Sequence, residues 1–142
     1  TVNTYSIVAL SAISGKMLNA FAELVRNNQH NHYQLTPPIQ LVKNYIDNHL
    51  EQPINLQHLA RLINYSPSYL SRQFKKQLHM SVTDYVTQTK IKSAQFMLVT
   101  SQKSVTQIAD ELGFSSRHYF SRIFKQAVNQ SPLQYRQSHT QL

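Results

Sequence analysis

Apolar residues recur along this chain at three- and four-residue steps, the spacing of one buried face of an α-helix. Ile7, Leu10, Ile13, Met17, Phe21 and Leu24 form a first, weakly amphipathic stretch over residues 1–26, weakened by Gly15. The segment from Asn27 to Pro38 is polar and ends in two prolines, which reads as a linker. From Ile39 the pattern is helix after helix. Ile39, Val42, Ile46 and Leu50 make one stripe, closed by Pro53, and Leu56, Leu59, Ala60 and Ile63 make a second with Asn55 as N-cap. Ser66-Pro67 opens a third, with a buried face of Leu70, Phe74 and Leu78, since serine caps and proline suits the first helical position. A long fourth helix is predicted over Val82–Thr100, carrying Val86, Ile91, Ala94, Met97 and Leu98. No segment reads convincingly as a strand, so the fold class is all-α.

The second half repeats the first. A shift of 49 residues puts Leu56, Leu59, Ala60 and Ile63 on Val105, Ile108, Ala109 and Leu112, Asn55 on Ser104, and Asn64 on Gly113. After the turn the shift is 50, and Ser66, Tyr69, Ser71, Arg72, Phe74, Lys75, Ser81 and Tyr85 recur as Ser116, Tyr119, Ser121, Arg122, Phe124, Lys125, Ser131 and Tyr135. Eight identities in the twenty positions 66–85 exceed a chance register. Each copy reads as a helix-turn-helix. A short helix ends at a residue that tolerates left-handed backbone (Asn64, Gly113), and a second helix follows a serine. Ala60 and Ala109 sit where the two helices would cross closely, and Tyr65 and Phe114 follow the turn as plugs for the corner.

At 142 residues the chain has room for one ordinary domain or two very small ones sharing a core, with 41% hydrophobic residues to build it. Mean hydropathy is −0.41, and no apolar run approaches the roughly 20 residues a bilayer span needs. Cysteine is absent and there are two glycines, which excludes disulfides, thiolate zinc sites, cysteine nucleophiles and Gly-rich phosphate loops. No signal peptide is visible, so a cytosolic setting is expected. The chain opens at Thr1 without methionine, which suggests a fragment whose upstream domain is missing.

Charge makes the picture sharper. The net charge is +8 and the pI about 9.9, an excess that points to a polyanionic partner, nucleic acid before membrane. The second helix of each repeat carries six of the fourteen cations and no acid: Arg72, Lys75 and Lys76, then Arg117, Arg122 and Lys125. A merely solvated helix usually mixes signs. Here the acids Asp47, Glu51, Asp84, Asp110 and Glu111 lie elsewhere. Arginine on an outer helix face can hold guanine O6 and N7 together, while Ser68, Ser71, His118 and Ser121 offer single contacts to base edges. Lys75, Lys76 and Lys125, later in the helices, suit phosphate. Arg72 and Arg122 are the leading candidates, because the repeat places arginine there twice. A helix over Val82–Thr100 spans roughly 28 Å at 1.5 Å per residue, near the 34–36 Å or so between major-groove faces one turn apart.

On these residues the chain resembles the DNA-binding domain of AraC-type (AraC/XylS) transcription regulators over about residues 39–137. The likeness is strongest in Ser104-Val105-Thr106-Gln107-Ile108-Ala109-Asp110-Glu111-Leu112-Gly113-Phe114, Tyr119-Phe120-Ser121-Arg122-Ile123-Phe124-Lys125 and Ser131-Pro132-Leu133-Gln134-Tyr135-Arg136. The first copy adds Leu59-Ala60, Tyr69-Leu70-Ser71-Arg72-Gln73-Phe74-Lys75-Lys76 and Tyr85. The resemblance implies seven helices: helix-turn-helix units at 55–78 and 104–128, joined by a linker helix at 82–100, after an N-terminal helix and linker at 1–38 and before a tail at 138–142. It implies base contacts from Ser68, Ser71, Arg72, Arg117, His118, Ser121 and Arg122, with Lys75, Lys76, Lys125, Ser66 and Ser116 on phosphate. It also implies a transcription activator in the bacterial cytoplasm, at the nucleoid. The expected partners are an operator duplex and RNA polymerase, with a homodimer through an upstream region. No cofactor or membrane is expected. Three departures stand out: His79 and Asn129 where glycine is frequent, Val82 where the second copy has Pro132, and Lys90 where arginine is usual in the linker helix. A lysine makes no bidentate fork there.

Two other functional classes fit the sequence less well. For an enzyme, His30-Asn31-His32 lacks nearby acids or cysteines for a metal, and Asp110-Glu111 point about 100° apart on a helix. No nucleophile–base pair emerges, and the alkyl-transfer repair proteins that share such a module need cysteine. An architectural or RNA-binding protein would stack bases on aromatics exposed among the cations. Tyr69 and Tyr119 lie near them, but their place in the repeat reads as helix-edge packing.

Overall fold

The computed structural model describes residues 35–140, and among these it holds seven α-helices and no strand. They are α1 (Pro37–Asn48), α2 (Leu56–Leu62), α3 (Pro67–Leu78), α4 (Val82–Thr100), α5 (Val105–Glu111), α6 (Arg117–Val128) and α7 (Pro132–Thr140). The helix expected over residues 1–26 and His30-Asn31-His32 lie outside the described residues.

Capping sets where these helices start. Asn55 accepts from the Gln57 N–H at 2.8 Å, and Ser66, Ser81, Ser104, Ser116 and Ser131 each accept from the N–H three residues on. Ser104 with Gln107 and Ser131 with Gln134 close the reciprocal serine–glutamine box at α5 and α7. Both short helices end alike. The Tyr65 N–H returns to the Ala60 carbonyl (2.9 Å) and the Phe114 N–H to Ala109 (3.0 Å), with Asn64 and Gly113 left-handed at φ 56° and 69°. His79 and Asn129, ending α3 and α6, are also left-handed, at φ 58° and 62°. The histidine takes up the same left-handed conformation as the asparagine.

Three boundaries differ from the sequence pattern. The first helix begins at Pro37 rather than Ile39, because a proline in the first turn forfeits only an N–H that has no helical partner. It stops at Asn48, where His49 leaves helical geometry at φ −133°, so Leu50 is not the last member of its stripe. The segment expected as a tail from residue 138 continues α7 to Thr140.

Buried side chains fall into two sets along the long α4. Ile39, Val42 and Ile46 of α1, Leu59 and Ala60 of α2, and Leu70 and Phe74 of α3 are buried around its start at Val82. Ile91, Ala94 and Leu98 of α4 join Val105, Ile108, Ala109, Leu112, Phe120 and Phe124 in the second core, to which Leu50 also packs. Leu50 thus leaves the stripe it extends in sequence and serves the other unit's core. Polar clamps hold the ends of this frame. The Tyr85 hydroxyl donates to Asp47 (2.6 Å), which also pairs with Lys43 at 2.9 Å, and so ties α4 to α1. Gln77 exchanges hydrogen bonds with Thr36, which fixes the end of α3 to the start of α1. Arg136 of α7 donates through Nε to the Leu98 carbonyl at 2.9 Å and through Nη2 to the Lys103 carbonyl, closing the C-terminus of α4.

Candidate nucleic-acid interface

Both α3 and α6 bury their apolar stripes through two aromatic or aliphatic anchors (Leu70 and Phe74; Phe120 and Phe124) and turn the opposite face to solvent. Ser68, Arg72, Lys75 and Lys76 are exposed on α3, and Arg117, His118, Arg122 and Lys125 on α6. Ser71 and Ser121 are half-buried instead, because each directly follows a buried anchor (Leu70, Phe120) and lies at the edge of the apolar stripe. Ser71 lines a cleft of about 340 Å³ between α3 and the first turns of α4, together with Ile54, Val82, Val86 and Lys90. Ser66 and Ser116 are exposed, but one oxygen lone pair of each is taken by the cap, to the Tyr69 and Tyr119 N–H groups at 3.2 and 3.0 Å. What each retains for a ligand is its O–H donor, at the positive end of a helix.

The arginines are held in the same way in both copies. The Arg72 guanidinium lies 5.9 Å from the Tyr69 ring centroid and Arg122 lies 5.4 Å from that of Tyr119, one helical turn back. Each tyrosine in turn meets the aromatic of its turn: Tyr65 edge-on to Tyr69 at 4.7 Å, Phe114 tilted against Tyr119 at 6.2 Å. Tyr69 is 40% exposed and Tyr119 43%, so these rings pack at the helix edge, as expected, and are still partly open beneath the arginines. A guanidinium over a ring keeps the N–H fork in its own plane free for a base edge or a phosphate. Position alone could reveal the arginines in the sequence. The tyrosines carried a readable signal too, since Tyr-x-x-Arg recurs at one helical turn in both copies.

Electrostatics follow the same division. Among the described residues the ion pairs are Lys43–Asp47 and Lys103–Glu111 (2.8 Å), and neither involves a cation of α3 or α6. Lys43 is held above its ordinary pKa, first by its hydrogen bond to Asp47, and Tyr85 above its own, first by burial and then by that same carboxylate. Lys90, midway along α4, is 8% exposed, and burial pushes it below the ordinary lysine range against the pull of Glu51. Arg136 and Lys90 are therefore cations engaged within the packed scaffold. No helix among the described residues is long and apolar enough to cross a membrane, and they hold no cluster of three or more metal-ligating side chains.

A helix-turn-helix domain family matches residues 59–138. The regulatory protein SoxS of Salmonella typhimurium is 34% identical over 69% of this chain and 92% of its own length. The chain belongs to the AraC-type family of transcription regulators. Solved AraC-type structures share its fold. A regulator with an AraC-type DNA-binding domain from Chromobacterium violaceum superposes with a TM-score of 0.69 at 26% identity, over 74% of this chain and 94% of that one. The DNA-binding domain of AdpA, a global transcriptional factor solved in complex with a target DNA, gives 0.68 at 25% identity, over 71% and 91%. The xylose-binding transcription activator XylR gives 0.67 at 25% identity, over 78% of this chain but 30% of its own. This AraC-type domain is accordingly an all-α, DNA-binding unit of a transcription regulator, with two helix-turn-helix units on one long helix.

Proposed function

We propose that this AraC-type domain reads a double-stranded operator sequence-specifically, placing α3 and α6 in successive major-groove segments on one side of the duplex. The observation that carries this reading is the doubled arginine–tyrosine pair on two acid-free helix faces. Arg72 and Arg122 read guanine through O6 and N7, and Ser68, Arg117 and His118 contact neighbouring bases. Ser71 and Ser121, set back at the helix edge, meet only a base that comes fully against the helix. Lys75, Lys76 and Lys125 grip phosphate, as do the O–H groups of Ser66 and Ser116. The AdpA domain, solved with DNA, supports binding of this kind. The activator named among the similar structures supports activation. RNA polymerase as second partner and a homodimer through an upstream region belong to the same proposal. The domain acts by binding alone, without cofactor or catalysis, at the bacterial nucleoid.

Selection of duplexes from a randomised library, followed by binding at physiological salt, tests this. The expected result is a defined site preferred over random duplex by about 10³-fold or more. Equal affinity for selected and random DNA would contradict it.

A further inference from the structure

One junction of the molecule sets the turn of the second helix-turn-helix unit against the segment after α1 and against the linker helix. Leu50, past the end of α1, packs to the second core, and the Glu51 carbonyl that follows stands over Gly113 in the second unit's turn. There is no room for a side chain at that contact: a Cβ on Gly113 would lie 2.7 Å from the Glu51 carbonyl oxygen. Phe114, next in the chain, packs at 4.9 Å between ring centroids on Phe120 of α6. Lys90, midway along α4, brings its ammonium to 5.3 Å from the centre of the same Phe114 ring. The ring that carries α6 is thus touched by a charge from the linker helix.

An apolar side chain of similar length would fill this place without the cost of desolvating an ammonium. Apolar contacts alone are non-directional, and a ring among them can slide. A cation over a ring face favours one placement. The lysine therefore contributes direction rather than stability. We propose that Lys90 is a positioning residue, which acts through Phe114 to fix α6 relative to α3 and so sets the one spacing of operator half-elements that the domain accepts. This rests on the two-helix reading above.

The test uses the full chain and the tightest duplex selected from a randomised library, with three derivatives: one base pair inserted between the half-elements, one deleted, and the second half-element scrambled. One base pair turns the second element by about 35° around the duplex. The parent chain is expected to lose about tenfold or more on insertion or deletion. Lys90→Met should bind the original duplex about three- to tenfold more weakly, yet distinguish the insertion and deletion by no more than about twofold, with a thermal midpoint no lower than the parent's. Lys90→Arg should restore the spacing preference. Phe114→Leu, which keeps an apolar plug and removes the ring face, should relax the preference as Lys90→Met does. Lys90→Met or Phe114→Leu, folded and retaining the parent's spacing ratio, overturns the inference, as does a fall of several degrees in the Lys90→Met midpoint. If scrambling the second half-element costs the parent chain nothing, the two-helix reading itself fails, and that result is separate from any property of Lys90.

Discussion

Gly113 and Glu51 meet backbone to backbone across the two units, with 2.7 Å between the carbonyl oxygen of one and the place where a Cβ on the other would stand. Gly113 is also left-handed, at φ 69°. Gly113→Ala therefore adds conformational strain to a clash that no flexible side-chain end can relieve. It is expected to destabilise by about 2–4 kcal/mol in urea unfolding, part of it from the positive φ alone. Asn64 holds the matching turn of the first unit at φ 56°. Asn64→Gly should stay within about 0.5 kcal/mol of the parent, since relief of strain and added unfolded-state freedom oppose each other.

The second clamp is Arg136, which donates from α7 to the Leu98 and Lys103 carbonyls at the end of α4. Arg136→Met should cost about 1–2 kcal/mol, because charged hydrogen bonds to a part-buried and an exposed carbonyl are lost. Arg136→Lys should recover little of it, since an ammonium cannot span both acceptors in a fixed plane. Folded Arg136→Met should bind DNA with the parent's salt dependence, which separates this scaffold cation from the phosphate-gripping lysines.

Alkaline titration of stability gives a third check, and its sign follows from the Tyr85–Asp47–Lys43 contact. Tyr85 keeps its proton in the folded chain above the ordinary tyrosine pKa of 10.0, and Lys43 above 10.5. Both contributions are complete below those values and are lost as pH rises through the folded ones. Lys90, depressed by burial, works the other way: stability rises as pH climbs toward 10.5. Tyr85→Phe should therefore cost about 1 kcal/mol at neutral pH and lose less stability above pH 10 than the parent. Lys90→Met should lose more. Urea midpoints from pH 8 to 11 measure both.

The sequence made a great deal of this legible, and the limits have physical causes. Helix starts are written in side chains that cap their own backbone, as at Asn55, Ser66 and Ser104, so they can be read locally. The left-handed ends at Asn64 and Gly113 follow in the same way. What periodicity could not give is the partner of a side chain beyond its own helix. Leu50 continues the α1 stripe in sequence, but a backbone change at His49 sends it to the second core. Lys90 and Arg136 add to the net charge read from the sequence, although burial and backbone carbonyls claim them. Ser71 reads as an outer-face residue on a helical wheel, but α4 crosses beside it, and only the packed structure reveals the cleft. The arginine-bearing faces were readable because repetition marks them twice.

Division of labour on those faces is the fourth expectation. Arg122→Ala should weaken binding to the selected site by about 1–3 kcal/mol and relax preference at a single base position. Tyr119→Leu, which removes the ring beneath that guanidinium, should shift affinity in the same direction by a smaller amount, about 0.5–1 kcal/mol. Lys75→Ala should lower affinity for specific and random duplexes alike and reduce the slope of log affinity against log salt by about one unit. Indistinguishable profiles for Arg122→Ala and Lys75→Ala would contradict the separation of base readers from phosphate grips.

The most direct measurement is phosphate-ethylation interference on the selected duplex. Two clusters of interfering phosphates about ten base pairs apart, both on one face of the DNA, are expected when α3 and α6 enter consecutive turns of the groove. A single cluster, unchanged when Arg72 or Arg122 is replaced by alanine, would contradict the use of both helices.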